Sequence, residues 1–551
     1  MAIKFLSFFT SDYGLLMNVY FIAGFGVTAA VTFAVLRHLR FGYLAAAVAG
    51  FLYTFLPFHF YHEQSHLFRS SYFYAPLACL VLLWSMSWRE RFLLDPDPSA
   101  QTNWRVGLLW NLRSNLRRQR VLAMVGSCVL LAGTETMTTS FTLTLLAITG
   151  LIGAIRRREP AQLLVSGALA LVLAGTFLAL LYPTFNFVNT YGTNERAARR
   201  KVVEQEVYGL KISAMVLPSV DHQNDVLREL GKDGRKGTRL VSEGGQALTM
   251  LGVVGFVAAL YRLVTRGWDA RAGPNRRRLR PVRPGRSARR RCPADPGRHP
   301  RGHRVRSGPA EALPASQVRV WNRMVLIIAF FSSSSRPAFE RLGRWISGRI
   351  TWPQPLLVGL ALLVAAFGIW DGGRPARRDY PAMAADFGSD LEFVARIEQR
   401  VPDGTNVFQL PVTPFPESPP PGDMLDYDHL RPFLQSDGST NWSYGSVKGR
   451  RNGDWQWRHV RDRLGPIKAL PPLLGMGFEG LWVDTFGYAD AAAELRDQLA
   501  FVLRVKPMVS GNGRHLYYDL RPYKERLGRP ETELRELARR ELKVEPPEPG
   551  G

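Results

Sequence analysis

Apolar residues in this chain gather in blocks instead of recurring at the spacings of a water-soluble core. Eight stretches, 14–36, 41–58, 72–86, 121–137, 141–155, 163–182, 247–264 and 355–370, are nearly free of charge, and a weaker ninth lies at 324–331. A helix rises about 1.5 Å per residue, so roughly 20 apolar residues cross the hydrocarbon of a bilayer. Several blocks are short for that task, yet together they predict a multi-pass α-helical membrane protein. Near Asp371 the pattern changes. Leu391, Val394 and Ile397 predict one face of an amphipathic helix over 390–399, with Ser389 as N-cap and a stop at Val401-Pro402-Asp403-Gly404. A strand at 407–412, a Pro-rich loop at 413–423, a Trp/Tyr-rich stretch, a short helix at 471–476 and a strand at 480–483 follow. A helix at 491–503 capped by Asp490 and a hairpin turning at Gly511-Asn512-Gly513 complete a mixed α/β domain.

Basic residues stay on the cytoplasmic side of short loops. Arg37 and Arg40, the cluster Arg105, Arg113, Arg117, Arg118 and Arg120, and Arg156-Arg157-Arg158 mark that side. The loops at 58–71 and 134–140 carry Glu63 and Glu135 with little positive charge, and are expected outside. Alternation then puts 186–246 outside and Arg266 onward inside, with none or two spans before Pro355. The run Arg196, Arg199, Arg200, Lys201 opposes this orientation, although the rule weakens in long loops. The organisation expected is a helix bundle over 1–265, an Arg/Pro-rich loop over 266–320, a final membrane region over 321–370, an extracytoplasmic mixed α/β domain over 371–525 and a charged helical tail over 526–551, disordered from 546.

The 551 residues carry a formal charge of +25. Much of it sits in 271–310, which has fourteen Arg, one Asp, no Lys and no Phe, Tyr or Trp. That stretch reads as a disordered basic loop or as coding sequence in a shifted frame. Without rings for base stacking it does not predict nucleic-acid binding. Cys79, Cys128 and Cys292 are too dispersed for a disulfide framework or a thiolate metal site. The first fourteen residues hold one Lys and no small-residue cleavage site, so the first span is expected to be retained.

Candidate chemistry concentrates in two outward segments. In Leu56-Pro57-Phe58-His59-Phe60-Tyr61-His62-Glu63-Gln64-Ser65-His66-Leu67-Phe68-Arg69, three histidines, an acid and an arginine can bind an anionic head group or move protons. The same residues also suit an interfacial aromatic belt, or a metal held at helical spacing by His59, His62 and His66. The second segment offers Asn186, Asn189, Tyr191, Gly192 and Asn194, then Tyr208, Lys211 and His222, a polar and aromatic set suited to carbohydrate or to capping the bundle. His59, His62, Glu63, His66, Arg69, Tyr208, Lys211 and His222 are therefore the candidate substrate-binding residues. In the soluble part, Gln409, Phe415, Tyr427, Arg431, Trp442, Tyr444, Lys448 and Trp455 mix rings with charges, as a saccharide platform or a small aromatic core does. Asn441-Trp442-Ser443 matches the glycosylation pattern, a weak motif.

Leu56-Pro57-Phe58-His59 with His66-Leu67, Tyr208-Gly209-Leu210-Lys211 with Leu217-Pro218, Gln317-Val318-Arg319 with Asn322-Arg323, and Phe408-Gln409-Leu410-Pro411 with Pro414-Phe415-Pro416-Glu417 and Trp442-Ser443-Tyr444-Gly445 give the chain its family resemblance. It resembles bacterial polytopic proteins with the architecture of GT-C glycosyltransferases, the YfhO-like or sugar-translocase-like proteins. The resemblance implies a GT-C-like helix bundle in the bacterial inner membrane, membrane lipid and a polyprenyl-phosphate-linked sugar as partners, and sugar transfer at the outer face. It also implies an acidic residue on the first outward loop as base or ligand of a divalent cation. That pattern places a further helix and its acidic loop before Met1, leaving Asp12 as the sole early acid, and a span where 271–310 stands. The transferase would then be slow or inactive as written. The other function expected is non-catalytic binding or translocation of a glycan or glycolipid.

Overall fold

The computed structural model describes residues 2–63, 65–86, 119–157, 160–194, 196, 206–236, 243–271, 320–333, 353–373 and 379–547. The Arg-rich stretch after Arg271, the arginines at 105, 113, 117 and 118, and the chain end from 548 lie outside these residues. Two compact units form: Met1–Asn186 with Arg200–Pro375, and Phe187–Arg199 with Ala376–Gly551.

Among the described residues of the first unit, five helical segments are long and apolar enough to cross a membrane: Tyr13–His38, Tyr43–His62 (two helices in succession), Thr136–Ile155, Pro160–Leu180 and Gln354–Gly372. Tyr74–Met86, Val121–Ala132, Met250–Thr265 and Trp321–Ser333 are apolar but shorter. Ten of the thirteen residues of Tyr74–Met86 are buried, which puts this helix at the centre of the bundle. Peripheral helices turn apolar side chains outward instead: Leu171 is 76% exposed, Leu363 69% and Val254 68%. Such a surface fits hydrocarbon better than water. Polar contacts join the helices inside, as where Ser85 Oγ meets Ser166 Oγ at 2.7 Å and Gln162 Nε2 donates to the Ser85 carbonyl at 2.6 Å.

The block expected as one span over 41–58 is interrupted. Pro57 has no N–H to give and its ring collides with the preceding turn, so one helix ends at Thr54 and another starts with Pro57 in its first turn. Tyr72 covers the break by donating its hydroxyl to the carbonyls of Tyr53 and Thr54, at 2.7 and 3.0 Å. Asp12, the early acid, caps Tyr13–His38 by accepting from the Leu15 N–H at 3.0 Å.

The second unit holds, among the described residues, a five-stranded sheet of β1 (Thr405–Leu410), β2 (Thr440–Trp442), β3 (Phe478–Asp484), β4 (Met508–Val509) and β5 (His515–Asp519). Its order is β2-β1-β3-β5-β4; β1 runs parallel to β2 and β3, and β5 antiparallel to β3 and β4. Alternation sends Phe408, Leu481, Val483, Leu516 and Tyr518 to one face, where they meet Leu470, Leu474, Leu499 and Leu534. Val407, Trp482 and Tyr517 take the other face, against Phe393, Val394 and Ile397.

The amphipathic helix expected at 390–399 begins ten residues earlier, at Tyr380, where Asp379 accepts from the Ala382 N–H at 3.1 Å and Pro381 stands in the first turn. Ser389 is no cap; its hydroxyl accepts the Asn512 N–H at 3.1 Å. Leu391, expected on the buried face, is 46% exposed, and Phe393 and Asp390 are buried in its place. The helix expected from 491 runs over Ala493–Leu503 with Ala492 as its N-cap, and Asp490, two residues before that cap, accepts from the Ala492 and Glu494 N–H groups at 3.0 and 2.9 Å. Glu531–Leu542 packs Leu534, Ala538 and Leu542 into the same core, against a helix over Gly465–Gly475. The approach is close: a Cβ at Gly475 would collide with the Leu534 carbonyl.

Candidate functional site

The 58–71 segment, expected as a surface loop, folds into two short helices, Pro57–His62 and Leu67–Ser70, and turns two histidines inward. His62 holds its Nδ1 3.0 Å from the Phe58 carbonyl, and its Nε2 stands 3.9 Å from Glu243 Oε1. Arg69 Nη1 lies 3.6 Å from the same oxygen, and Asn322 Nδ2 donates to Glu243 Oε2 at 2.6 Å. Two backbone bonds fix the position of this carboxylate. The Glu243 N–H donates to the Val207 carbonyl at 3.2 Å, and the Asn322 N–H to the Tyr208 carbonyl at 3.0 Å. Beside Asn322, Arg323 pairs with Glu135, whose Oε2 also accepts from the Tyr74 hydroxyl at 3.1 Å and from Thr138 at 3.3 Å.

Glu135, Tyr74 and Arg323 each stand at the start of an apolar helix and His62 at the end of one, so the cluster occupies one end of the bundle. It combines two arginines, two carboxylates and two histidines. His66 meets the His62 ring edge-on at 5.6 Å between centroids. Burial lowers the His66 pKa, and the charge of Arg69 lowers it further against the opposing pull of Glu243. Three atoms in the cluster, His62 Nε2, Arg323 Nε and Asn322 Oδ1, are buried without a hydrogen-bond partner among the described residues.

The other expected site residues go elsewhere. His59 is stacked on Phe25 with centroids 3.5 Å apart, and neither of its ring nitrogens has a partner among the described residues. Glu63 ends the Pro57–His62 helix with a φ of 43°. Tyr208 serves through its carbonyl, while the Lys211 N–H donates to Gln246 at 3.3 Å and its ammonium lies 3.4 Å from Glu206. His222 forms a separate buried pair with Asp371 at 3.5 Å, and Asp371 also accepts the Met250 N–H.

No family model matches this chain, and no curated protein or solved structure is detectably similar to it. Its chemistry rests on its own geometry. His59, His62 and His66 do not converge, and among the described residues no group of three or more His, Cys, Asp or Glu is arranged to hold a metal ion. A divalent cation also fits poorly on Glu135 and Glu243, because each already faces an arginine.

Glu243 and Arg323 are absent from the set selected on sequence. Glu135 carried a usable signal, since it is the lone acid inside the apolar block 121–137 and such residues are costly unless paired. Arg323 stood out only within the Asn322-Arg323 motif of the resemblance, and Glu243 carried no signal, because their partners lie far away in the chain.

The second unit has its own buried charges. Asp390 and Asp484 flank His515 at 3.0 and 3.6 Å, Arg431 bonds Asp390 and Asp428 at 2.8 and 2.9 Å, and Arg514 reaches Asp428 at 2.7 Å. Burial works against the charged form of His515, but the two carboxylates outweigh it and hold its pKa above the ordinary histidine range.

Proposed function

We propose that the chain is a GT-C-like membrane protein that binds polyprenyl-phosphate-linked sugars through His62, His66, Arg69, Asn322 and Arg323, at the outer face of the bacterial inner membrane. The supporting observation is the convergence of Arg69 and Arg323 with two histidines at one end of the apolar helices. A lipid-linked phosphate lies at that level of a bilayer, and a guanidinium matches its oxygens in a two-pronged hydrogen bond. In this reading the sugar extends from the phosphate toward the polar 206–216 segment.

Transfer further requires a carboxylate able to take the proton of an acceptor hydroxyl. Glu243 and Glu135 are the candidates, and each must leave its arginine as the phosphate takes that place. The pairing of each with an arginine favours slow transfer, or the second reading, non-catalytic binding or translocation of a glycan or glycolipid.

The test uses the full chain in nanodiscs with polyprenyl-phosphate sugars, measuring retention of the lipid and release of the sugar to an acceptor. Arg323→Met is expected to weaken retention by about tenfold or more. Transfer abolished by Glu243→Gln supports the enzyme, retention without transfer supports the second reading, and no retention refutes both. Orientation is tested separately. Single cysteines at the exposed Ser65 and Asp497 should both react with an impermeant thiol reagent on intact cells; labelling of only one sinks the assignment.

A further inference from the structure

In the second unit the three parallel strands end on one edge, and the chain changes direction there. It leaves β1 for β2 on one side and later takes up β3 on the other. A shallow crevice opens at this edge, beside the carboxyl ends of β1 and β2, between the loop after β1 and Tyr444, which follows β2.

The lining is specific in its chemistry. Tyr427 and Tyr444 supply rings, Thr413 and Ser418 hydroxyls, and Asp426 an exposed carboxylate. The cations beside the lining residues are already engaged: Lys448 donates to the Glu417 carbonyl at 3.0 Å, and Arg431 and Arg514 bond Asp428 at 2.9 and 2.7 Å. His429, 3% exposed, has its Nε2 2.8 Å from the Pro411 carbonyl, so Nε2 carries the proton. Its Nδ1 is then a lone-pair acceptor, buried and without a partner among the described residues. Burial disfavours the imidazolium, so the acceptor persists at neutral pH. A buried acceptor left unpaired costs free energy that a ligand hydroxyl would recover.

Backbone geometry adds a second mark. Tyr427 adopts φ 65° and ψ 16°, a left-handed conformation that a bulky aromatic residue seldom takes. The fold nevertheless holds it there, at the position where the ring edges the crevice, and held strain of this kind gathers at binding sites.

Acceptors, hydroxyls and two rings together complement a ligand that is neutral, rich in O–H donors and flat on one C–H face. We propose that this crevice binds a saccharide ring seated against Tyr427 and Tyr444, with one hydroxyl donating to His429 Nδ1. The site is separate from the arginine cluster of the first unit, and the proposal does not depend on the reading given to that cluster.

Saturation-transfer NMR on the full chain in phosphatidylcholine nanodiscs, free of glycosidic detergent, tests it with methyl glycosides of glucose, galactose, mannose and N-acetylglucosamine. At least one glycoside should show transfer to its ring protons. Tyr427→Asn keeps a residue that tolerates the left-handed backbone but removes the ring, and should weaken binding roughly tenfold. Asp426→Asn, at an exposed position that cannot unfold the domain, should also weaken it. The proposal is overturned if no glycoside shows transfer, if Tyr427→Asn and Asp426→Asn both bind as tightly as the parent, or if putrescine, a flexible diamine, displaces the glycoside.

Discussion

Arg514 grips Asp484 in a two-pronged hydrogen bond, Nε to Oδ1 at 2.9 Å and Nη2 to Oδ2 at 2.6 Å, where β3 meets β5. Their side chains are 8% and 1% exposed. Breaking such a pair strands a buried charge, whereas removing both members does not. Asp484→Asn should therefore destabilise the second unit by about 3–5 kcal/mol, and Asp484→Asn with Arg514→Met by clearly less. Pulse proteolysis in a urea series measures both. Equal losses would show that the pair is not what holds this edge together.

The surrounding charges set a pH window. Burial would raise Asp484 and Asp390, but bonds from His515, Arg514 and Arg431 outweigh it and hold both below the usual carboxylate range. Their contribution is present above the unfolded value of 3.8 and is lost as pH falls through the depressed folded values. His515 has the opposite sign. Its raised pKa gives stability that is complete below the unfolded value of 6.5 and is lost as pH rises through the folded value. His429, lowered by burial, adds to the loss on the acid side. Melting temperatures of the second unit should therefore decline as pH rises above the unfolded histidine value of 6.5, and His515→Gln should flatten that decline while leaving the acid limb in place. A decline that persists in His515→Gln would assign it to other groups.

The charged tail has a structural role. Leu534 and Leu542 are fully buried, each worth about 1.5–3 kcal/mol of apolar transfer. Residues 379–547 expressed alone should unfold in one cooperative transition. A fragment ending at Tyr523 should melt at least ~10 °C lower or show no transition. Similar melting of the two fragments would place Glu531–Leu542 outside the folding unit.

Legibility in the sequence follows the range of the interaction that forms each feature. Apolar blocks and caps are local, so the helices ending near Leu36 and Leu503 and the start of the second near Asp490 could be read directly. The first half of the helix over Tyr380–Glu398 was not readable from periodicity, because its residues up to Gly388 are exposed and show no apolar stripe. Asp379 with Pro381 in the first turn was the available signal. Of the arginine cluster, the sequence offered His62, His66 and Arg69 but not their partners. Asn322 meets Glu243 across 79 positions and Arg323 meets Glu135 across 188, separations that no local pattern encodes. His59 was selected as one of three histidines grouped in an outward segment, a pattern that does not reveal Phe25, contributed by another helix, as its stacking neighbour.

The pair between Arg323 and Glu135 can be divided into a structural and a binding role. The two side chains are 7% and 16% exposed, so losing one leaves the other charged in a poorly solvated place, at a cost of about 3–5 kcal/mol. Arg323→Met should lower stability accordingly, and adding Glu135→Gln should restore most of it, because the stranded charge is gone. Cys79 and Cys128 are buried, so a thiol-reactive dye reports unfolding in detergent once Cys292 is replaced by Ser. Retention of polyprenyl phosphate is measured on the same samples. A purely structural arginine would have both properties recover together in the double variant. An arginine that binds phosphate would return stability without retention, which should remain weaker by about tenfold. We expect the second outcome; full recovery of retention would confine Arg323 to holding the helices together and remove the main support for a lipid-phosphate site.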